Sequence, residues 1–208
     1  MIRASKKIIK KLFSILWLPE SFKKNISMLL RLKRGRRAKK LPSETSKCRN
    51  RLSKFCTGCG LDIGFGGDPI VEHAIRVDLA QPYSGADGPP VQLAGDAHCL
   101  QWFNNNTLDF VYSSHLLEDF EATENVIREW LRVLKPGGKL ILFCPDEKVY
   151  REYCDQTGHP YNKFHKQPDF SLEFVKNILK CIGNVKIIHE TALIDIYSWE
   201  LVCEKIDI

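Results

Sequence analysis

The chain has 208 residues, of which 44% are apolar and 27% charged, and its formal net charge is +6. This length allows one α/β domain with an appendage but excludes two full domains, and the composition is ordinary for a globular protein. The charge is distributed unevenly. Residues 1–54 carry 18 Lys and Arg against two acids, whereas residues 55–208 carry 13 against 23. The sequence therefore predicts an acidic domain that follows a strongly basic N-terminal segment.

Residues 1–40 are predicted to form a basic amphipathic helical arm. Segment 6–18 places apolar and lysine side chains on opposite helical faces, and its apolar stretch is shorter than the ~20 residues of a membrane span. Cationic amphipathic helices of this kind bind anionic membrane surfaces. We therefore expect a cytoplasmic protein held peripherally at the inner membrane face. Self-docking or disorder is an alternative, and nucleic acid is a disfavoured partner because the aromatic residues lie in the apolar stripes.

The polar segment 41–51 is interpreted as a linker, and the domain is expected over residues 52–208. The chain contains eight cysteines, several of them within apolar, strand-like runs, so we interpret them as reduced thiols. Cys56 and Cys59 have the spacing of a zinc knuckle. No second pair follows at a zinc-finger distance, and no metal site is assigned.

Strand-like and helix-like patterns alternate within the domain. Apolar runs predict seven strands, over residues 60–63, 75–79, 91–93, 108–112, 139–144, 185–189 and 194–203. Apolar residues at helical spacing predict helices over 121–134 and 171–181. Strands separated by helices predict a Rossmann-like open, mainly parallel seven-stranded α/β sheet, with its ligand beyond the carboxyl ends of the strands.

A glycine-rich turn follows the first strand in the sequence GLDIGFGGDPI, residues 60–70. Asp62 ends the strand, and Gly64 and Gly66 let the backbone turn sharply and approach a ligand closely. Only nine residues lead from the turn to the end of the next strand, too few for the long helix that faces a pyrophosphate in dinucleotide sites. The expected ligand therefore has no pyrophosphate.

Acids also follow the next two strands. Asp78 ends the second strand, where a carboxylate commonly binds ribose hydroxyls, and Asp96 with Ala97 follows the third, where it can accept from an adenine amino group. Asp62 is suited to an ammonium group. This combination favours S-adenosylmethionine over NAD, although each aspartate could simply form a loop at a strand end.

Five segments are informative together: GLDIGFGGDPI, VDLA, GDAHCL, LDFVYSSHLLEDF and LRVLKPGGKLILFCPD, within residues 58–146. In this order and spacing they resemble class I S-adenosylmethionine-dependent methyltransferases of the type 11 branch, especially members found with lipopolysaccharide and surface-glycan genes. The resemblance implies S-adenosylmethionine as cofactor. The contacts it implies are Asp62, Gly64 and Gly66 at the methionine end, Asp78 at the ribose, Asp96 and Ala97 at the adenine, His98 and Leu100 flanking the ring, and Ser113 beneath the sulfonium.

Methyl transfer is an in-line displacement that needs aligned reactants, and a hydroxyl acceptor also benefits from a base. His115, two residues after Ser113, is the first candidate for base or orienter, although it could instead cap the following helix. Asp146, after the fifth strand, is the second candidate. A polar and aromatic loop that could cover the acceptor contains His159, Tyr161 and His165.

We therefore predict a methyltransferase that O-methylates a sugar, a glycan precursor or another small molecule. The glycan part depends on the resemblance and on the arm. The alternatives are a nucleic-acid methyltransferase and a catalytically silent methyltransferase-like binding module.

Overall fold

The computed structural model describes residues 42–80 and 88–207 of the chain. The predicted arm over residues 1–40, and with it the predicted membrane contact, lies outside the described residues. Residues 42–208 form a compact unit by themselves. Within the described part of the chain, none of the helices has the length and apolar character needed to cross a bilayer.

The unit contains four α-helices and seven strands among its described residues. They are α1 (Glu44–Leu52), β1 (Gly60–Ile63), β2 (Ile75–Asp78), β3 (Leu93–Ala94), β4 (Leu108–Ser114), α2 (Thr123–Val133), β5 (Leu134–Pro145), α3 (Glu147–Thr157), α4 (Leu172–Ile182), β6 (Val185–Ile194) and β7 (Ser198–Lys205). Short 3-10 turns follow α1 and β4, over Ser53–Phe55 and Leu117–Asp119. All seven predicted strands are present, with shifted ends.

The strands form one sheet in the order β3-β2-β1-β4-β5-β7-β6. Strands β1 to β5 are parallel to one another, and β7 runs antiparallel to both β5 and β6. This confirms the predicted open, mainly parallel α/β sheet. The strand order reverses between β1 and β4, so the connections that leave their carboxyl ends diverge there and open a crevice for a ligand.

Both faces of the sheet are covered, as expected for parallel strands. Val111 of β4 packs in a core cluster with side chains of α2 and α4, whereas its neighbours Phe110 and Tyr112 pack in a second cluster on the other face. Successive residues of a strand point to opposite faces. The second cluster includes Cys48 and Leu52 of α1, so α1 is one of the layers that enclose the sheet.

Helix α1 occupies most of the segment that the sequence indicated as a linker. Most of its side chains are polar, and the buried ones are Thr45, Cys48 and Leu52. The sequence therefore shows no continuous apolar stripe that would indicate a helix. The hydroxyl of Ser43 caps the helix and accepts a hydrogen bond from the Ser46 N–H at 3.0 Å. Helix α3 was also missed, because its sequence is similarly polar. The domain therefore begins before residue 44 rather than at residue 52.

The β6–β7 hairpin contains a strained turn. Asp195 and Ile196 have φ values of 48° and 82°, and two successive positive values define a turn that favours Asn-Gly. A β-branched residue is strained in this region, and the Ile196 side chain is 64% exposed, so it gains little from packing.

We expect Ile196→Gly to raise the free energy of unfolding by about 1 kcal/mol in urea titrations. Leu193→Gly, at an exposed strand position, should lower it, and an unchanged or lower stability of Ile196→Gly would contradict the assignment of strain.

Candidate active site

A cavity of about 540 Å³ opens at the carboxyl ends of strands β1 to β4. One side, the strand-end wall, is formed by residues 63–66, 77–79 and 95–97. The other side, the ring wall, carries the side chains of His115, Tyr150, His165 and Tyr197. The N-terminus of α1 also contributes lining residues, among them Glu44. The cavity thus lies where the sheet topology predicts a ligand.

The glycine turn after β1 approaches the cavity with its backbone. Gly64 and Gly66 have φ values of 69° and 57°, which glycine adopts without strain. A Cβ atom at Gly64 would lie 2.7 Å from Cδ2 of Leu116, so the close packing also requires glycine. The structure contains no helix between β1 and β2. The absence of a long helix after the turn agrees with a ligand that has no pyrophosphate.

Asp78 lies at the end of β2 and lines the cavity, as predicted. One carboxylate oxygen accepts a hydrogen bond from the Gly66 N–H at 3.2 Å, and the other accepts from the Leu79 N–H at 2.8 Å. A carboxylate has about four acceptor positions, so both oxygens can still accept bonds from hydroxyl groups. The Asp78 side chain therefore holds the glycine turn at the end of β2 and presents its carboxylate to the cavity.

Asp96 and Ala97 also line the cavity. The Ala97 carbonyl accepts a hydrogen bond from Nε1 of Trp130 at 2.7 Å, which fixes this loop to helix α2. His98 and Leu100 are placed differently from the prediction. His98 is exposed and contacts Asp96 through Nδ1 at 2.6 Å, and Leu100 is fully buried in the core, so neither lines the cavity.

Asp62 lies beneath the glycine turn and is not a lining residue. One of its carboxylate oxygens accepts a hydrogen bond from the Ile70 N–H at 2.6 Å. The other, Oδ1, is buried and has no hydrogen-bond partner among the residues that the structure describes. Burial raises the pKa of this carboxyl to about 7. Asp62 therefore connects the two ends of the loop over residues 63–70, and its contact with an ammonium group stays a prediction.

Strand β4 is two residues longer than predicted, and this changes which serine reaches the cavity. The Ser113 side chain is fully buried, and its Oγ donates to the Ile63 carbonyl at 3.1 Å. Ser114 lines the cavity instead. Its Oγ has no hydrogen-bond partner within residues 42–80 and 88–207. Ser114, rather than Ser113, is thus the serine that lines the cavity at this end of the strand, although its hydroxyl oxygen is itself buried.

His115 lies on the ring wall and has a left-handed backbone conformation, with φ of 49°. Its Nε2 is 3.1 Å from Oγ of Ser198 and 3.3 Å from a carboxylate oxygen of Glu44. Burial, assisted by the nearby charge of Lys47, lowers the pKa of His115 to about 3. The imidazole is therefore neutral near pH 7, and it is a weak base.

Asp146, the second candidate base, is not among the lining residues. Its carboxylate accepts a hydrogen bond from the Val149 N–H at 3.1 Å and so caps the N-terminus of α3. This contact accounts for an acid at position 146 without a catalytic role. The cap could not be recognised from the sequence because α3 itself was not predicted.

The loop before α4 contributes only part of its predicted set to the cavity. His165 lines the cavity, whereas the exposed His159 and Tyr161 do not. Sequence reasoning missed further lining residues, among them Glu44, Tyr150, Asn162 and Tyr197. They come from α1, α3, the loop before α4 and the β6–β7 turn, whose positions depend on helices or turns that the sequence pattern did not predict.

The strand-end wall fits S-adenosylmethionine. It offers a carboxylate at Asp78 for ribose hydroxyls and the backbone of the glycine turn at Gly64 and Gly66. His, Cys, Asp and Glu side chains of the described residues do not form a group of three or more that could hold a metal ion.

Residues 61–142 match a family model described as a methyltransferase domain. Solved structures share the fold. A protein from Pyrococcus horikoshii OT3 is 19% identical, with a TM-score of 0.62 over 81% of this chain and 93% of that chain. A SAM-dependent methyltransferase from Archaeoglobus fulgidus is 18% identical, with a TM-score of 0.60 over 77% and 92%.

A third similar structure is the complex between the Haloferax volcanii Trm112 methyltransferase activator and a methyltransferase. It is 12% identical, with a TM-score of 0.56 over 79% of this chain and 89% of that chain. No curated protein matches the chain. The match over residues 61–142, the cavity at the strand ends and the shared fold agree with one another and support an S-adenosylmethionine-dependent methyltransferase.

Proposed function

We propose that the domain transfers the methyl group of S-adenosylmethionine to a hydroxyl group of a small polar acceptor, such as a sugar or a glycan precursor. The observation that carries this proposal is the ring wall. Aromatic and imidazole rings beside the amide of Asn162 form a surface on which a sugar ring can stack and donate hydrogen bonds. None of the described lining residues is Lys or Arg, which disfavours a nucleic-acid backbone as acceptor.

In this proposal the two walls have different roles. Bound S-adenosylmethionine supplies an electrophilic methyl group. Asp78 binds the ribose hydroxyls, Asp96 and Ala97 contact the adenine, and Gly64 and Gly66 admit the methionine part. The ring wall holds the acceptor against the methyl group, so catalysis depends mainly on alignment of the two reactants.

The proposal is tested with the full chain, S-adenosylmethionine labelled in its methyl group, and a panel of acceptors. The panel contains neutral sugars, lipid-linked sugars and RNA. Transfer to a neutral sugar or to its lipid-linked form supports the proposal, and transfer to RNA alone contradicts it. Binding of S-adenosylhomocysteine without transfer to any acceptor would instead favour a silent binding module.

The arm over residues 1–40 is proposed to bring the domain to an anionic membrane surface, because its cationic and apolar residues segregate in the sequence. We expect the full chain to pellet with vesicles that contain an anionic lipid and to remain in solution with zwitterionic vesicles. Binding should weaken as the salt concentration rises, since salt screens the attraction between the cationic arm and the anionic lipid. It should also disappear on deletion of residues 1–40 and in a full chain with Lys6, Lys7, Lys10 and Lys11 changed to Glu. Pelleting that survives both changes would contradict the proposal.

A further inference from the structure

Three buried titratable side chains and the partly exposed His115 form a continuous row at the ring wall. Nδ1 of His165 is 2.6 Å from Oε2 of Glu147. Nε2 of the same ring is 3.7 Å from Oε1 of Glu118, which is in turn 3.9 Å from Nδ1 of His115. The side chains of Glu118 and Glu147 are 1% exposed, and that of His165 is 4% exposed. Two cavity-lining imidazoles thus face one buried carboxyl group.

The contacts of His165 define which of its nitrogens is free. The other oxygen of Glu147 binds Nε of Arg151 at 2.7 Å, so this group is a carboxylate that can only accept hydrogen bonds. In the neutral ring of His165, Nδ1 therefore carries the hydrogen and Nε2 has the lone pair. A carboxylate on Nδ1 both orients the ring and stabilises the imidazolium that forms when Nε2 takes a proton.

His115 lacks this arrangement. Its Nδ1 does not reach a carboxylate at hydrogen-bond distance, and its Nε2 is already 3.1 Å from the Ser198 hydroxyl and 3.3 Å from a carboxylate oxygen of Glu44. Burial lowers the pKa of His115 to about 3, which makes it a poor proton acceptor near pH 7. Of the two histidines on the ring wall, His165 is the one whose Nδ1 contacts a carboxylate at hydrogen-bond distance.

Glu118 separates the two imidazoles. Neither of its carboxyl oxygens has a hydrogen-bond partner among the residues that the structure describes. Burial, together with the nearby acids Asp119, Glu147 and Glu44, raises the pKa of Glu118 well above its usual range. Glu147, and not Glu118, is the carboxyl group in hydrogen-bond contact with His165.

We propose that His165 is the catalytic base of this methyltransferase, with Glu147 as its positioning residue. The inference rests on the proposed transfer to a hydroxyl group. The acceptor oxygen forms a bond to the methyl carbon while the bond from that carbon to sulfur breaks and its electron pair stays on sulfur. The hydroxyl proton passes to Nε2 of His165, and the resulting imidazolium is paired with the carboxylate of Glu147 until the proton leaves to solvent.

The first test needs no methyl acceptor and measures which nitrogen of the His165 ring carries the hydrogen. The full chain is labelled with ¹⁵N-histidine and loaded with S-adenosylhomocysteine, and the signals are assigned with His165→Asn and His115→Asn. We expect His165 to carry its hydrogen on Nδ1 at pH 8, and Glu147→Gln to abolish this preference while the affinity for S-adenosylhomocysteine stays within about twofold. A hydrogen on Nε2, or a Glu147→Gln spectrum identical to the wild type, would overturn the proposal.

The second test uses the acceptor that the panel identifies. We expect His165→Asn to lower kcat by at least ~100-fold with little change in the KM for S-adenosylmethionine, since a general base contributes 10²–10⁴-fold. Glu147→Gln should lower kcat less and shift the acidic limb of the pH profile, which a purely structural residue would not do. His159→Asn, an exposed histidine outside the cavity, should keep wild-type kcat.

The outcomes separate this inference from the function on which it depends. A full chain that does not bind S-adenosylhomocysteine overturns both. A wild-type protein that methylates its acceptor, together with a His165→Asn variant that keeps its kcat, overturns only the assignment of the base.

Discussion

Replacement of Asp78 by alanine is expected to weaken the binding of S-adenosylhomocysteine by roughly 100-fold. The Asp78 carboxylate lines the cavity at the end of β2 and accepts from the backbone of the glycine turn at 3.2 Å. In the proposed cofactor complex its loss removes charge-assisted hydrogen bonds to two ribose hydroxyls. At the lower value of about 1.5 kcal/mol for each bond, and with a factor of ten for every 1.4 kcal/mol, the loss is roughly 100-fold. Loss of the contact with Gly66 also loosens the turn.

Calorimetric titration of the full chain measures this effect, with NAD as a ligand that should not bind. Asp169→Ala is the matched control, because Asp169 is an exposed aspartate that does not line the cavity. It should leave the affinity unchanged. An Asp78→Ala protein that binds within threefold of the wild type would show that the ribose does not contact this carboxylate.

Replacement of Asp62 by asparagine is expected to make the protein more stable at pH 8 and to change little in acid. The folded-state pKa of Asp62, about 7, is higher than the value near 3.9 of an unfolded aspartate. A raised pKa means that its stabilising contribution is complete below about pH 4 and is lost as the pH rises to about 7. The asparagine keeps an acceptor for the Ile70 N–H but has no charge to bury.

Urea unfolding at pH 5 and pH 8 measures the effect. The stability difference between Asp62→Asn and the wild type should grow by about 3 kcal/mol across this interval, at 1.36 kcal/mol for each unit of pKa shift. Asp109→Asn is the control, because Lys135 and the Cys59 N–H lower the pKa of Asp109, so this carboxyl is ionised in the folded and the unfolded state at both pH values. The stability difference between that variant and the wild type should therefore stay constant from pH 5 to pH 8. Parallel stability curves for wild type and Asp62→Asn would contradict the assignment.

The strands and the cofactor side of the cavity could be predicted from the sequence because their signals are local. Apolar runs mark the strands, and glycine or aspartate immediately after a run marks its carboxyl end. Gly64, Gly66, Asp78, Asp96 and Ala97 therefore line the cavity as expected. Side-chain direction was predicted less well. Asp62 and Ser113 lie near the carboxyl ends of their strands, as predicted, yet their side chains point into the protein and not into the cavity.

The acceptor side could not be read in the same way, because it is assembled from distant segments. Glu44 belongs to a polar helix without an apolar stripe, and Tyr197 follows a strained hairpin turn. Only their packing around the sheet brings them beside His115. The role of Asp146 as a helix cap was likewise hidden, because capping is visible only once the helix is known.

Helix α1 limits how far the domain can be shortened from its N-terminal side. Arg51 binds the fully buried carboxylate of Glu200 at 2.6 Å and the carboxylate of Asp195 at 2.6 Å. A fragment that begins at residue 52 would leave Glu200, among the described residues, with the His189 ring at 3.1 Å but without Arg51, and an uncompensated buried charge is strongly destabilising. It would also lose the cavity-lining residues Ser43, Glu44 and Thr45. Shortened forms of the protein for expression or crystallisation should therefore begin at or before residue 42.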